Sequence, residues 1–241
     1  AIRKQPATTV ALAGLRLGVP RQYFYENLDA ELAPVIEGAL KRLLRAGAVL
    51  VEVDLPNVEM LNNAAGFAIA MYEQPRELSA YLFFSGSHLN ARDVISRVAG
   101  KNERSMLMAQ LDPEKAISPE AYQAAMGVHR PALQRTYASY FATNGLAAMV
   151  VPTTPLPARP IGGEDTVELN GKQEPTFPTY IRNTDPPSVA GLPCLSMPAG
   201  LTASGLPVGI EFVGPSNSDN RVLAIGAEFE KLQGSPLGPK V

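Results

Sequence analysis

The spacing of apolar residues near the start of the chain predicts a strand, a helix and a second strand. The run LRLGV at 15–19 is typical of a short buried strand. After Asp29, a predicted N-cap, apolar residues recur at helical spacing over 32–44 and stop at Gly47. VLVEVDLP at 49–56 predicts the second strand. Strand, helix and strand in this order form a βαβ unit, which favours a parallel sheet with a right-handed crossover.

The pattern is helical from about residue 57 to about residue 145. Little in this part resembles a strand, and several stretches carry apolar residues at helical spacing. One helix is predicted to begin after Ser118, because Ser is a good N-cap and Pro119 suits the first helical position. We therefore expect a helical insertion between the βαβ unit and the strands that follow.

Strands return in the second half of the chain. LAAMVV at 146–151 predicts one, and the prolines of the following VPTTPLPARP take the chain out of the sheet. The polar stretch 158–176 carries the turn signals Gly162-Gly163 and Asn170-Gly171, which indicate a loop with a small hairpin.

The stretch TDPPSVAGLPCLSMPAG at 184–200 is too apolar for an ordinary loop and too rich in Pro and Gly for an ordinary helix. It predicts a turn at 184–187 that leads into a buried strand near 194–197, with Cys194 as a buried structural thiol. GLPVGIEFVGP at 205–215 predicts another strand, and a helix over about 218–232 follows before a Pro/Gly tail.

Composition narrows the class of protein. Apolar residues make up 46% of the 241 residues, enough for a sizeable core. With 21 basic and 23 acidic residues the net charge is −2, which favours neither nucleic acid nor an anionic membrane as a partner. One cysteine excludes an internal disulfide, and no apolar run is long enough to predict a membrane span. We expect a cytoplasmic protein. The start at Ala1, in the polar lead AIRKQPATT, predicts a cleaved, tagged or trimmed product.

The residues alone identify no catalytic apparatus. The two histidines, His88 and His129, are far apart, and a pairing of His88 with Ser85 or Ser87 has poor geometry because adjacent side chains seldom meet. No nearby cation lowers the pKa of Cys194. The sequence also contains no phosphate-binding loop, no dinucleotide fingerprint and no set of zinc ligands, so neither a cofactor nor a metal is predicted. The chain either binds without catalysis or has its catalytic residues elsewhere.

A resemblance decides more than composition does. RNTDPPSVAGLPCLSMPAGLTASGLPVGIEFVGP at 182–215, preceded by VVPTTPLPA at 150–158, resembles the C-terminal part of the amidase signature family. Within the family it is most similar to the indoleacetamide hydrolase and mandelamide hydrolase branch. Residues 15–56 resemble the strand, helix and strand that begin the second half of the family's domain. The resemblance implies an α/β fold, a mixed β-sheet flanked by helices, with residues 1–241 forming the C-terminal portion of a single amidase domain.

Catalysis in this family depends on a Lys, a cis-configured Ser and a nucleophilic Ser, with the serines in a GGSSGGS-like stretch. That stretch precedes everything matched here, and the cluster Ser85-Gly86-Ser87 has neither its length nor a companion lysine. No catalytic residue is therefore predicted in this chain, which we expect to be inactive alone. The implied whole is a serine amidase that hydrolyses a small amide, of aryl-acetamide type, to acid and ammonia through an acyl-enzyme.

The resemblance implies that this chain contributes to the substrate pocket and pairs with the N-terminal half of the same enzyme, with a homodimer possible. Substrate-binding residues are expected in the loops at strand ends. We expect hydrogen bonds to the substrate from the hydroxyl and carboxyl groups of Thr153, Thr154, Thr184 and Asp185. We expect an aryl pocket to be lined by Phe177, Tyr180, Ile181 and Pro186. The alternative is that these residues only cap strands and brace a turn.

Two other hypotheses remain open. The first is a non-catalytic protein like an amidotransferase subunit, or a paralogue that binds a ligand or partner without hydrolysis. The second is a self-contained hydrolase with Cys194 as its nucleophile.

Overall fold

The predicted βαβ unit is present. In the computed structural model, β1 (Arg16–Val19) and β2 (Val49–Glu52) pair in parallel and are joined by α1 (Leu32–Arg45). The helix is described from Leu32, but the Asp29 carboxylate accepts a hydrogen bond from the backbone N–H of Glu31 at 2.9 Å and the Asp29 carbonyl accepts one from the N–H of Ala33 at 3.0 Å. Asp29 therefore caps the turn that leads into the helix, as the sequence predicts.

The structure describes residues 9–162 and 165–233. Most of the polar N-terminal lead, the turn residue Gly163 and the Pro/Gly tail lie outside this part. The remaining described elements, in chain order, are α2 (Val58–Phe84), α3 (Ala91–Ile95), α4 (Lys101–Ala109), α5 (Pro119–Ala124), a π-helical turn (Ala125–His129), α6 (Arg130–Asn144), β3 (Ala148–Pro152), β4 (Thr166–Leu169), β5 (Lys172–Pro175), α7 (Thr176–Ile181), α8 (Asp185–Ala190), β6 (Cys194–Leu201), β7 (Pro207–Val213) and α9 (Asp219–Lys231).

Five strands form one mixed sheet in the order β2-β1-β3-β7-β6. β1 pairs in parallel with β2 and β3, whereas β7 runs antiparallel to both β3 and β6. The predicted mixed sheet flanked by helices is therefore confirmed.

Two local sequence signals act as predicted. The Ser118 hydroxyl accepts a hydrogen bond from the backbone N–H of Ala121 and caps α5. Asn170 and Gly171 both have positive φ, 51° and 83°, and turn β4 into β5. Paired positive φ values suit the two-residue hairpin turn that Asn-Gly favours.

One face of the sheet packs against α1 and α9. Ile36 of α1 and Ile225 and Phe229 of α9 are fully buried against sheet residues that include Val150 and Phe212. Their alternation along each strand follows the two-residue period of a pleated sheet. This face holds the larger part of the core.

The other face, called here the α6 face, is only partly covered. α2 and α6 pack over β1, β3 and the end of β7, where Tyr137, Met149 and Val151 are buried. The outer strand β6 remains open on this side, since Cys194 and Ser196 are exposed. The strand predicted near 194–197 is present, but the predicted burial of this strand and of the Cys194 thiol is wrong. Apolar residues bounded by prolines also suit an edge strand with one covered face.

The burial of α9 gives a first prediction. Ile225→Ala removes a fully buried side chain and should lower the free energy of unfolding by about 2–5 kcal/mol. Leu223→Ala is the matched control on the same helix: Leu223 is 58% exposed, so the change should stay within about 0.5 kcal/mol. Urea unfolding followed by circular dichroism measures both. Equal effects from the two variants would contradict the packing described here.

Candidate functional site

The RNTDP segment at 182–186 is held by one buried side chain, that of Asn183. Its Nδ2 donates to the backbone carbonyls of Phe24 at 2.9 Å and of Pro152 at 2.8 Å, and the residue is fully buried. Phe24 follows β1 and Pro152 ends β3, so the amide fixes the segment beside the carboxyl ends of two neighbouring strands. The sequence analysis missed Asn183, because an Asn just before an Asp-Pro step has the pattern of an ordinary turn residue.

A second polar contact joins this segment to α2. Nδ2 of Asn62 donates to Oδ2 of Asp185 at 2.6 Å, and Asn62 is 4% exposed. Gly66, one turn further along α2, makes the approach possible: a Cβ there would lie 2.9 Å from Cγ2 of Val189 and 3.1 Å from Oδ2 of Asp185. The Asn62–Asp185 pair therefore depends on a close α2–α8 contact.

Arg182 adds a cation to the same region. Its Nε donates to Oδ1 of Asn183 at 3.2 Å, and its guanidinium carbon lies 6.0 Å from the centre of the Tyr23 ring. Burial lowers the pKa of Arg182, although Tyr23, Glu26 and Glu59 act in the opposite direction. Its Nη2 is buried without a hydrogen-bond partner among the described residues, and so is Oδ1 of Asn62. The region where the segment meets α2 thus has one buried donor and one buried acceptor without a partner among the described residues.

These groups surround a cleft of about 360 Å³ between α2, α7 and the hairpin. Its lining is mixed, with carboxyl, amide and guanidinium groups next to apolar side chains: Tyr23, Asn27, Glu59, Asn62, Asn63, Leu169, Glu174, Pro175, Pro178, Thr179, Ile181, Arg182 and Asp185. Polar groups that converge on a concavity can fix the orientation of a small molecule. We regard this cleft as the candidate functional site.

The cleft contains some of the predicted site residues. Ile181 and Asp185 line it. Pro186 is buried in α8, and the Thr184 hydroxyl donates to the carbonyl of Ile181 at 3.2 Å. Thr184 and Pro186 thus shape the turn beside the cleft.

The aromatic residues predicted for an aryl pocket lie apart from it. Phe177 is 42% exposed on α7. Tyr180 packs against the small apolar cluster of Leu156, Val167 and Leu169, and its hydroxyl donates to the carbonyl of Pro157 at 3.1 Å. Neither residue is among those lining the cleft.

Thr153 and Thr154 follow β3 and have different surroundings. The Thr154 hydroxyl donates to the carbonyl of Leu156 at 2.8 Å, within its own turn. The Thr153 hydroxyl meets that of Ser196 at 2.7 Å on the α6 face. The bond passes over Gly209 of the intervening strand, where a Cβ would lie 2.7 Å from Oγ1 of Thr153 and 3.0 Å from Oγ of Ser196. Asn183 connects the two regions through Pro152, the residue before Thr153.

The candidate nucleophiles have structural roles or unfavourable surroundings. Ser85 donates to the carbonyl of Leu82 at 3.0 Å, and Ser87 accepts from the N–H of Leu89 at 3.1 Å; among the described residues neither hydroxyl bonds to His88. Desolvation, and then the nearby Glu211, raise the pKa of Cys194 well above its usual range although the residue is solvent-exposed. A thiol so protonated is a poor nucleophile.

Other classes of site are also missing from the part of the chain that the structure covers. Residues 9–162 and 165–233 contain no group of three or more His, Cys, Asp or Glu side chains arranged to hold a metal ion. Within the same ranges, no helix has the length and apolar character needed to cross a membrane.

Comparison with known proteins identifies the family. A family model described as amidase matches residues 4–223. The chain belongs to the amidase family. The resemblance inferred from 182–215 is therefore confirmed.

Curated amidase relatives give more detail. The chain is 40% identical over 229 residues to indoleacetamide hydrolase of Allorhizobium ampelinum, covering 95% of this chain and 49% of the relative. It is 29% identical to mandelamide hydrolase of Pseudomonas putida, covering 95% and 46%. The chain thus spans about half the length of the curated relatives it matches.

Solved structures agree on the fold. A crystal structure titled amidase superimposes with a TM-score of 0.73 at 27% identity, covering 94% of this chain and 47% of that one. The peptide amidase PAM, crystallised with the competitive inhibitor chymostatin, gives a TM-score of 0.67 at 26% identity, covering 92% and 44%. The mixed sheet and its helices are therefore those of an amidase.

The role of Asn183 gives a second prediction. Asn183→Ala leaves two buried carbonyls without their donor and should destabilise the protein by roughly 2 kcal/mol or more. Asn102→Ala removes an exposed hydrogen bond from a side-chain amide to the Asp165 carboxylate and should change the unfolding free energy by less than about 0.5 kcal/mol. Urea unfolding of both variants measures the difference. A loss no greater for Asn183→Ala than for Asn102→Ala would show that the buried amide does not hold the segment.

Proposed function

We propose that this chain is part of a serine amidase that hydrolyses a small amide, of aryl-acetamide type, to acid and ammonia. In this proposal, the triad of Lys, cis-Ser and Ser lies on the half of the domain that the chain does not include. This half contributes the scaffold and a wall of the substrate pocket. The family match over 4–223, with relatives named indoleacetamide hydrolase and mandelamide hydrolase, carries the proposal.

The chemistry follows from that division. The serine attacks the amide carbonyl, the neutral lysine and the cis-serine pass its proton to the departing ammonia, and water then releases the acid. Backbone N–H groups stabilise the oxyanion that forms during both steps. Burial and neighbouring donors keep the lysine unprotonated.

The cleft supplies binding rather than chemistry in this scheme. The Asp185 carboxyl and Arg182 offer an acceptor and a donor for the polar part of a substrate, and Ile181 gives apolar contact. Thr184 and Pro186 shape the turn beside the cleft, and any contribution of Thr153, Thr154, Phe177 and Tyr180 to substrate binding comes from outside the cleft. The partners proposed are the small amide and the other half of the domain, with assembly as a homodimer in the cytoplasm.

The amidotransferase-like alternative has one observation in its favour. The chain is also 30% identical, over 240 residues, to one of the subunits of the glutamyl-tRNA(Gln) amidotransferase of Chlorobium phaeobacteroides. Identity to the indoleacetamide hydrolases is higher, at 40–43%. The encoded sequence upstream of Ala1 distinguishes hydrolase from non-catalytic paralogue, because only an amidase with an intact triad has a lysine followed by a GGSSGGS-like stretch.

An activity test follows from the missing nucleophile. This chain alone should release no ammonia from phenylacetamide or mandelamide and should not react with a serine-directed fluorophosphonate, as measured by intact-protein mass spectrometry. A fused protein that joins the N-terminal half of the Allorhizobium ampelinum indoleacetamide hydrolase to this chain should release ammonia from these amides and should react with the fluorophosphonate. Labelling within residues 1–241 would falsify the location of the nucleophile, and an inactive but folded fusion would count against the reaction.

Substrate binding at the cleft gives a further test in the same fusion. Asp185→Asn removes the charge of a group predicted to hydrogen-bond the substrate, so KM should rise on the order of 10-fold with a smaller change in kcat. Asp165→Asn, at an exposed position that does not line the cleft, is the control and should leave both constants unchanged. Steady-state ammonia release measures them. Unchanged kinetics in Asp185→Asn would remove the cleft from the substrate pocket.

A further inference from the structure

Glu211 of β7 lies buried on the α6 face with part of its hydrogen-bonding capacity unused. The residue is 4% exposed, and its Oε2 has no hydrogen-bond partner among the described residues. Desolvation raises the pKa of Glu211 to about 7, and an interaction with the Cys194 thiol lowers it only in part. Oε2 is therefore a buried acceptor without a donor, which costs folding free energy and is rare in native protein structures.

The neighbours of Glu211 do not supply that donor. Ser196 lies directly opposite on β6, but its hydroxyl is engaged with Thr153. Val151, opposite on β3, is apolar. The titratable groups that face Glu211 are Cys194 from β6 and Tyr137 from α6, and the Tyr137 hydroxyl is itself without a partner in the described part of the chain.

The surface next to Glu211 is open. Cys194 and Ser196 leave small, exposed side chains on the outer strand, and β6 is the edge of the described sheet. An apolar groove of about 610 Å³, lined by Phe141, Leu146 and Leu192 among others, lies along α6 where the chain enters β6. An unpaired edge strand with an adjoining apolar groove is a place where another chain segment can pack.

The lengths of the relatives indicate which segment that is. The chain matches 46–49% of the curated amidase relatives cited above, and 44–47% of the two solved amidases. An amidase therefore has about as much polypeptide again, which must cover surfaces that this half leaves open. The docking contact proposed below rests on the proposed function, because it assumes that this chain is one half of an amidase domain.

We propose that the carboxyl of Glu211 is a docking point for the other half of the amidase domain, which supplies a hydrogen-bond donor to Oε2, either a cationic side chain or a backbone N–H. Because Oε2 is covered in this chain alone, the proposed contact requires the Glu211 side chain to turn towards the open side of β6, past the small side chains at 194 and 196. The contact satisfies a buried acceptor and helps to set the position of one half on the other.

The sign of the pH dependence follows from this contact. A donor favours the ionised carboxylate and lowers its pKa on docking, so docking releases a proton. Affinity between the halves should therefore rise as the pH rises towards 7 and level off above it, in the range set by the free pKa of about 7. A partner that accepts a hydrogen bond from the protonated carboxyl of Glu211 raises its pKa on docking and gives the opposite slope.

The experiment co-expresses this chain with the N-terminal half of the Allorhizobium ampelinum indoleacetamide hydrolase. Dissociation of the purified complex is followed by fluorescence anisotropy between pH 5.5 and pH 8.0. Wild type should bind several-fold more tightly at pH 7.5 than at pH 5.5. Glu211→Gln keeps the size of the side chain and should remove most of this difference, and Glu230→Gln, exposed on α9, should behave as wild type.

The outcomes separate the docking contact from the proposed reaction. Three outcomes would overturn the docking contact: a flat or inverted wild-type pH profile, equal profiles for wild type and Glu211→Gln, or no complex at all. The wild-type profile tests the contact without depending on whether a variant folds. Ammonia release from phenylacetamide, measured with the fusion described above, tests the reaction separately. A Glu211-dependent complex with an inactive fusion leaves the docking contact standing while the reaction fails.

Discussion

The candidate site depends on the side-chain amide of Asn183. A chain that leaves β3 through prolines has no ladder hydrogen bonds to fix its later return, so the returning segment needs another connection. Asn183 provides it by donating to Pro152 at the end of β3 and to Phe24 after β1. The amide has two N–H donors and both are used, which is why neither a hydroxyl nor a carboxylate can replace it.

Close approach between elements is the second constraint, and two glycines make it possible. Gly66 lets α2 reach α8, so that Asn62 can bond Asp185 at the edge of the cleft. Gly209 leaves room on β7 for the Thr153 and Ser196 hydroxyls to meet across it. In both places a methyl group would displace the polar contact, so the glycines contribute through space rather than through backbone freedom.

The sequence predicts the layout of the fold well because most of it depends on local signals. The βαβ unit, the cap at Ser118 and the Asn170-Gly171 turn each follow from a few adjacent residues. The strand β6 was predicted, but its predicted burial failed because its apolar residues pack on one face only, and whether the other face is covered depends on parts of the molecule distant in sequence. The roles of Asn183 and Asn62 were not predicted for a similar reason, since their hydrogen-bond partners lie 31 or more residues away in the sequence.

Cys194 and Glu211 lie next to each other on the α6 face, and each shifts the pKa of the other. Desolvation and the nearby Glu211 raise the pKa of the Cys194 thiol, so the thiol keeps its proton, whereas the thiol's hydrogen bond lowers the pKa of Glu211 only in part against the desolvation that raises it. Such a site cannot produce a thiolate nucleophile near neutral pH, which argues against a self-contained Cys194 hydrolase. Under the proposed function, hydrolysis of an amide therefore needs a nucleophile from outside β6 and β7, which is the role proposed for a serine on the other half of the domain.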